Sequence, residues 1–344
     1  MLARTHTKSD GLECSGVRVL VIGSNSFSGA HFVAYLLQRG AEVIGISRSV
    51  EHQDVYLPYR WNGVPANFRF LLANVNDDLR RIVAVLQDMR PEYVVNFGAQ
   101  SMVAESWTHP THWFRTNVLA QVALHDELRK MRFMRRYLHV ATPEVYGTCD
   151  GPVTEDHPFR PSTPYAVSRA ACDLSLRTFL AHYGFPVVTT RAGNVYGPAQ
   201  RLYRIIPRTI MMIRLGQKLP LHGGGASLRS FVHIRDVAEG TYLAMKKGQP
   251  GECFHLATME PVTIRALVDR VCVRAGVNVD DVVEIVGERP GKDQAYLLDS
   301  TRARTRLGWS DTVSLDEGID DTMAWIDRHF DVLKDEPLDY VHKV

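Results

Sequence analysis

The chain has 344 residues, 45% hydrophobic and 23% charged, with 40 Lys+Arg against 38 Asp+Glu and a formal net charge of +2. That supplies a large core, in one large domain or two smaller ones. The near balance of charge gives no footprint for nucleic acid or a membrane surface, and no apolar run is long enough to span a bilayer. The cysteines Cys14, Cys149, Cys172, Cys253 and Cys272 are scattered and form no CxxC pair. Reduced thiols in a cytoplasmic protein are expected, and no metal site. Residues 1–16 are polar and lack the apolar core of a signal peptide, so they read as a loose tail.

Val17 to Ile22 is a short apolar, β-branched run ending in Gly23-Ser24-Asn25-Ser26-Phe27-Ser28-Gly29. His31 to Arg39 reads as a helix with Phe32, Tyr35 and Leu36 on one face, stopped by Gly40. Ala41 to Ile46 reads as the next strand. Strand, glycine turn, helix and strand make the βαβ unit of dinucleotide binding, because a tight turn brings backbone N–H groups and a helix N-terminus to a pyrophosphate. An acid normally follows the second strand to hold the adenosine ribose. Here the stretch is Ser47-Arg48-Ser49, with no acid before Glu51. Arg48 suits a 2′-phosphate and leans the reading to NADP; stacking on adenine, with NAD bound through other groups, is the alternative.

Phe68 to Leu72, followed by Asn74 and Val75, reads as a third strand at the adenine edge, and Leu79 to Met89 as an amphipathic helix. Tyr93 to Phe97 is a fourth strand, ending in Gly98-Ala99-Gln100-Ser101, small residues that allow close approach of a ligand at a strand's carboxyl end. A helix is expected over Thr116 to Met131 and a fifth strand over Tyr137 to Ala141, which delivers Thr142-Pro143-Glu144-Val145-Tyr146-Gly147. Tyr165 to His182 is a helix, and Pro186 to Thr190 a sixth strand leading to Asn194-Val195-Tyr196-Gly197-Pro198. Strands alternating with crossovers imply an α/β fold with a doubly wound parallel sheet.

Beyond Asn194 the alternation breaks. Ile205-Ile206-Pro207 opens an apolar helix over Arg208 to Leu215, Gly223-Gly224-Gly225 is a turn, and Ser227 to Val237 runs from strand to helix. Arg289-Pro290-Gly291-Lys292-Asp293 is a charged loop, and a last helix starts at Leu315. The expected division is residues 17–193 for the dinucleotide, with a segment at about 233–258 returning to the sheet, and 194–344 mainly for a smaller α/β substrate domain.

Tyr165-Ala166-Val167-Ser168-Arg169 places a phenol and a cation on one helical face. The cation favours the phenolate, and a phenol tuned towards neutrality suits a base that removes a hydroxyl proton as hydride leaves the same carbon.

Taken together, the glycine turn, Asn96-Phe97-Gly98-Ala99-Gln100-Ser101, Thr142 to Gly147, Tyr165 and Asn194 to Pro198 resemble the extended short-chain dehydrogenase/reductase superfamily. Within it the chain looks like the nucleotide-sugar 4,6-dehydratases of the dTDP-glucose and GDP-mannose type. The resemblance covers about residues 17–330, with Arg289 to Asp293 and Leu307-Gly308-Trp309 similar to the dTDP-glucose enzymes. It implies a Rossmann domain, tightly held NAD or NADP, and a nucleotide-diphosphate hexose substrate. Tyr165 would take the C4 hydroxyl proton, Thr142 would bond the C4 oxygen, Glu144 would remove the C5 proton, and Arg169 would hold the nicotinamide ribose. Gly23, Asn25, Ser26, Phe27, Gly29, Arg48, Asn74, Val75, Phe97 and Ala99, with Tyr165 and Arg169, would bind the cofactor. Ser101, Thr142, Asn194, Arg204, Arg229 and Arg289 would contact the substrate. In relatives the Thr116–Met131 and Tyr165–His182 helices pair across a dimer as a four-helix bundle, so a homodimer is expected.

Three residues depart from the pattern. Arg169 stands for the usual lysine, with a different shape and donor set. Pro143 stands for the aspartate that protonates the leaving hydroxyl in dTDP-glucose enzymes, and proline carries no such proton. Ser26 stands for the middle glycine of G-x-x-G-x-x-G. A 4-epimerase or related oxidoreductase that uses Tyr165 without elimination is the alternative, and a silent cofactor-binding protein a remote one. Glu144 separates the first two, because the superfamily's 4-epimerases usually lack an acid there.

Overall fold

The structure is a computed structural model that describes residues 14–287 and 297–342. Seven strands form one parallel sheet: β1 (Arg18–Ile22), β2 (Glu42–Ser47), β3 (Phe68–Leu72), β4 (Tyr93–Asn96), β5 (Arg136–Val140), β6 (Val187–Ala192) and β7 (Cys253–Leu256). Their spatial order is β7-β6-β5-β4-β1-β2-β3. Strand order reverses beside β1, so β1 and β4 border the crevice where open α/β sheets bind ligands.

The apolar run of β1 is continuous because both faces of the sheet are covered. Val19 and Val21 pack with Phe32, Val33 and Leu36 of α1 (Phe27–Leu37), and with Tyr242 and Met245 of a later helix. Leu20 and Ile22 face the other way, onto Ile82 and Leu86 of α2 (Leu79–Met89) and onto Leu124, Cys172 and Leu176. Each such side chain contributes about 1.5–3 kcal/mol when fully buried.

Helix α3 starts at Pro110, earlier than the expected Thr116. It runs through Pro110–Phe114, Arg115–Leu119 and Ala120–Leu128, the middle piece having π geometry. Pro110 sits in the first turn, where its missing N–H costs nothing. Helix α4 (Pro164–Tyr183) is capped by Thr163, whose hydroxyl accepts from Ala166 N. It ends at Gly184 in the left-handed conformation, φ 64°.

The remaining helices are α5 (Ile205–Arg214), α6 (Ile234–Lys247), α7 (Ile264–Ala275) and α8 (Leu315–Arg328). Ile206, Ile210 and Met211 of α5 meet Leu267 and Val271 of α7, and Ile319, Met323 and Ile326 of α8, in a core of their own. Helix α8 begins where expected, with a capping box between Ser314 and Glu317. The strand expected before α6 is two short pieces, Leu228–Arg229 and Phe231–His233. The latter pairs with Asn194–Tyr196. A further parallel pair joins Leu219–His222 with Val283–Val286, strands not expected from the sequence. The Arg289 to Asp293 loop lies outside the described residues.

Candidate active site

The carboxyl ends of β1, β2, β4 and β5 bring the sequence motifs to one edge of the sheet. Gly23 has φ +81°, and a Cβ there would lie 2.8 Å from Gly98 N and 2.9 Å from Phe97 C. A side chain is excluded by backbone on both counts. Gly29 is closed off likewise, since its Cβ would sit 2.1 Å from Gly23 O. The turn therefore lies flat under the α1 N-terminus, a cradle suited to a pyrophosphate.

Ser26 resolves its own departure from the glycine pattern. Its φ is −72°, which any residue adopts, and it is the N-cap of α1. Its Oγ accepts from Gly29 N at 3.1 Å and donates to Gly23 O at 2.6 Å. That cap also explains why α1 begins at Phe27 rather than His31.

Asn25 faces the β2 loop. Its amide donates to Ser49 O at 2.9 Å and Val50 O at 3.0 Å, locking the glycine turn to the residues around Arg48. Arg48 donates to Gln100 Oε1 at 2.9 Å, bridging the loops after β2 and β4. Glu51 is spent on Arg60, 3.0 Å from Nε to Oε1, and on the Tyr59 hydroxyl at 2.9 Å. Asn74 closes a turn, its Oδ1 accepting from Asn76 N at 3.1 Å, and Val75 packs beside the α2 core. Phe97 lies 5.5 Å from the Phe32 ring, centroid to centroid. Phe27 packs on His31 at 5.2 Å, and Ala99 is half-buried.

The reactive corner lies after β5. Thr142 caps the turn Pro143–Tyr146, its hydroxyl accepting from Glu144 N at 3.3 Å, and it stands near the Tyr165 phenol. Tyr165 is buried in the first turn of α4, and Glu144 is half-buried beside it. The phenol ends above its usual value, not below as the Tyr–cation spacing implies. Burial raises it most; Arg169 lowers it, the Glu144 charge raises it, and Thr142 and Arg204 lower it.

Arg169 is buried, and its Nη2 donates to the Val140 carbonyl and lies 3.3 Å from His139 Nε2. The guanidinium thus braces the end of β5, just before Thr142. Behind it, His139 Nε2 is 3.2 Å from Asp173 Oδ1, and Asp173 is ion-paired to Arg191. Asp173 is held below the usual carboxylate range: burial would raise it, but Arg191, His139 and Arg169 outweigh that. His125, His139 and Cys172 also bring ligand-capable atoms within 4.8 Å of one another here. The Arg169 guanidinium beside His139 opposes a second cation at that point.

Of the expected substrate contacts, Arg204 is exposed at the N-cap of α5 and close enough to Tyr165 to act on its proton. Arg229 is buried, its Nη1 donating to Leu228 O at 2.8 Å. Asn194 holds Ser230 O through its backbone N at 2.7 Å. Ser101 is exposed at the loop after β4. Arg289 lies outside the described residues.

Asn117 is the residue that pattern reading misses. It is fully buried in the π segment of α3. Its Oδ1 accepts from Gln100 N at 2.8 Å, and its Nδ2 donates to Gln100 O and to Ser168 Oγ, both at 3.0 Å. Ser168 Oγ in turn donates to Tyr165 O at 2.7 Å. The only sequence signal is a polar side chain amid a helix's apolar spacing.

The comparisons with known proteins agree with this geometry. The family described as GDP-mannose 4,6 dehydratase matches residues 20–322. A dTDP-glucose 4,6-dehydratase of Xanthomonas campestris pv. campestris is 32% identical over 324 residues, 89% of this chain and 92% of that one. The crystal structure of DesIV, a dTDP-glucose 4,6-dehydratase from Streptomyces venezuelae with NAD and TYD bound, has a TM-score of 0.84 at 31% identity, covering 91% of this chain and 97% of that one. UDP-glucose 4-epimerase from Thermotoga maritima, with UDP-glucose, has a TM-score of 0.81 at 26% identity, covering 91% and 100%. A match over most of the chain, a relative above 30% identity and a shared fold lead to one statement: the chain belongs to the GDP-mannose 4,6-dehydratase family.

Proposed function

We propose that the protein is a nucleotide-hexose 4,6-dehydratase that converts an NDP-hexose into an NDP-4-keto-6-deoxy-hexose and water. The observation that carries this is the corner of Thr142, Glu144 and Tyr165: the Thr142 hydroxyl accepts from Glu144 N at 3.3 Å, and the buried Tyr165 phenol stands near both. The glycine cradle at Gly23 and Gly29 fits a dinucleotide. When bound, that cofactor accepts a hydride from the sugar and later returns it. Tyr165 takes the C4 hydroxyl proton, while Thr142 holds the C4 oxygen. The 4-ketone acidifies C5–H, and Glu144 removes that proton. Pro143 has none to give, so Glu144 also protonates the departing C6 hydroxyl. A proton returned to C5 completes the product.

NAD is the proposed cofactor, as in DesIV. The NADP alternative rests on Arg48, whose guanidinium also bonds Gln100. Arg204, Arg229, Asn194 and Arg289 are the proposed diphosphate and nucleotide contacts, since guanidinium pairs bidentately with phosphate. A homodimer is supported by the apolar residues that α3 and α4 expose, Phe114, Leu119, Val167 and Leu174. Light scattering that returns the mass of one chain would remove it. Five cysteines without a disulfide support a reducing, cytoplasmic setting.

The test is incubation with UDP-, dTDP-, GDP- and CDP-hexoses, reading product mass. Loss of one water without added cofactor is expected, and the active sugar names the nucleotide. A product of unchanged mass and altered sugar would mean a 4-epimerase instead. That second reading draws on Pro143, which removes one expected acid from the site.

A further inference from the structure

Residues 338–342 join the α5 side of the molecule to α3 and the loop after β4. On the α5 side, Arg208 donates to Leu338 O at 3.0 Å and pairs with Asp339 at 2.9 Å, and the Tyr203 and Tyr340 rings meet edge to face at 5.4 Å. On the sheet side, His342 Nε2 is 3.1 Å from His112 Nδ1, with the two rings parallel to within 2°. His342 Nδ1 is 3.4 Å from both Gln100 Nε2 and the Tyr340 hydroxyl. One tautomer satisfies all three contacts: Nε2–H donates to His112, and Nδ1 accepts from the other two. The His342 ring also lies parallel to Trp113, 5.2 Å away at 7°.

The position of this segment matters more than the number of its bonds. Gln100 is the residue that Arg48 grips, and its backbone is the one Asn117 ties to the Tyr165 helix. The Tyr340 phenol feels both Arg48, from the adenosine edge, and Arg204, from the substrate side. One short stretch therefore joins the two walls across the top of the proposed dinucleotide site.

We propose that residues 336–342 are a strap that retains the bound dinucleotide, with Tyr340 as its positioning residue on the α5 wall and His342 on the sheet wall. This rests on the reading of the cleft as a dinucleotide site. The chemistry gives the strap its use. The hydride taken from C4 must return to C6 of the same sugar, so a cofactor lost in its reduced form strands a half-finished product. Holding the walls together slows that loss without touching the reacting atoms.

The experiment measures release of NAD from the loaded protein, with no sugar present, by rapid desalting into excess unlabelled NAD after loading with radiolabelled NAD. The variants are Tyr340→Ala, His342→Ala and a chain lacking residues 336–344, each checked for parental circular dichroism. Loss of about one net hydrogen bond predicts roughly fivefold faster release in each point variant. Acceleration of about threefold or more in both supports the strap, while smaller changes or slower release overturn it. If the shortened chain misfolds, the point variants decide. A parent chain that binds no dinucleotide also overturns it. Because no sugar is used, failure of the dehydratase reading leaves the release measurement standing.

Discussion

Asn117 and Ser168 are joined side chain to side chain at 3.0 Å, across the space between the π segment of α3 and the first turns of α4. The same Asn117 grips both backbone groups of Gln100. The loop that closes the proposed cofactor site and the helix that carries Tyr165 are thereby fixed to one another. Extra width in the helix at Arg115–Leu119 turns this side chain inward.

Asn117→Ala leaves the Gln100 N–H and carbonyl buried without their partner. The expected loss of stability is about 1–3 kcal/mol, read by urea unfolding. Turnover should fall by more than the folded fraction does, because Tyr165 loses its anchor through Ser168. Turnover that merely tracks the folded fraction would reduce Asn117 to a packing role.

Tyr165→Phe and Glu144→Gln remove different protons and should fail differently. Tyr165→Phe is expected to cut all turnover by about 10²–10⁴, the usual worth of a positioned base, with dinucleotide content unchanged. Glu144→Gln should stop water loss yet still permit C4 oxidation. Mixed with substrate, that variant should then build up the near-ultraviolet absorbance of reduced nicotinamide. Undiminished conversion in Glu144→Gln would favour the epimerase.

Asp173→Asn tests the buried network behind Arg169. Asp173 and Arg191 are both almost fully buried, and removing one partner of such a pair costs about 3–5 kcal/mol. The carboxyl is depressed in the fold, so its contribution is present above the unfolded carboxylate pKa of about 4 and is lost as pH falls towards the folded value. The gap between parent and variant in urea should therefore hold from pH 8 to about 5 and narrow below about 4.

Acid should loosen the fold before the carboxylates titrate. Burial pushes His233 and His255 down from 6.5 to about 3. His255 is kept neutral by burial and by the Arg191 charge, which outweigh the Asp299 carbonyl 3.1 Å from Nδ1; Nε2 lies 2.8 Å from the Tyr146 hydroxyl. His233 accepts from Arg235 N at the α6 cap, 3.3 Å. Between about pH 6.5 and 3 the unfolded chain holds the extra protons, so stability rises with pH by up to about 1.4 kcal/mol per pH unit for each histidine. His255→Gln should flatten the slope of unfolding free energy against pH; an unchanged slope would remove His255 from the account.

What the sequence made legible is what elementary patterns encode. The run Val19 to Ile22 reads as a doubly covered strand because every side chain in it is apolar, and Gly23 marks the turn because backbone fills the space its side chain would need. Thr142 and Glu144 were placed by the strand that delivers them and Tyr165 by the helix it opens; their grouping as one site came from the resemblance to the family's motifs. Ser26 looked like a defect, since spacing shows residue types and not φ. The Tyr165–Arg169 spacing indicated the sign of one influence on the phenol, while burial, which outweighs it, depends on the whole fold. The early start of α3, the role of Asn117 and the pairing of Leu219–His222 with Val283–Val286 arise from contacts between distant segments, for which local periodicity carries no mark.

Strand β7 is supplied late. Its pairing with β6 is reinforced by Gly251 N to Val187 O at 2.7 Å and Thr189 N to Glu252 O at 3.0 Å. During synthesis, β6 must wait as an open edge while the chain from Asn194 to Glu252 emerges, with its backbone groups available to any other strand. A fragment cut after Ala192 would keep that edge permanently. The seven-stranded sheet is therefore not a detachable module of the chain's first 193 residues: the ribosome must deliver the chain as far as Leu256 before the sheet can be sealed.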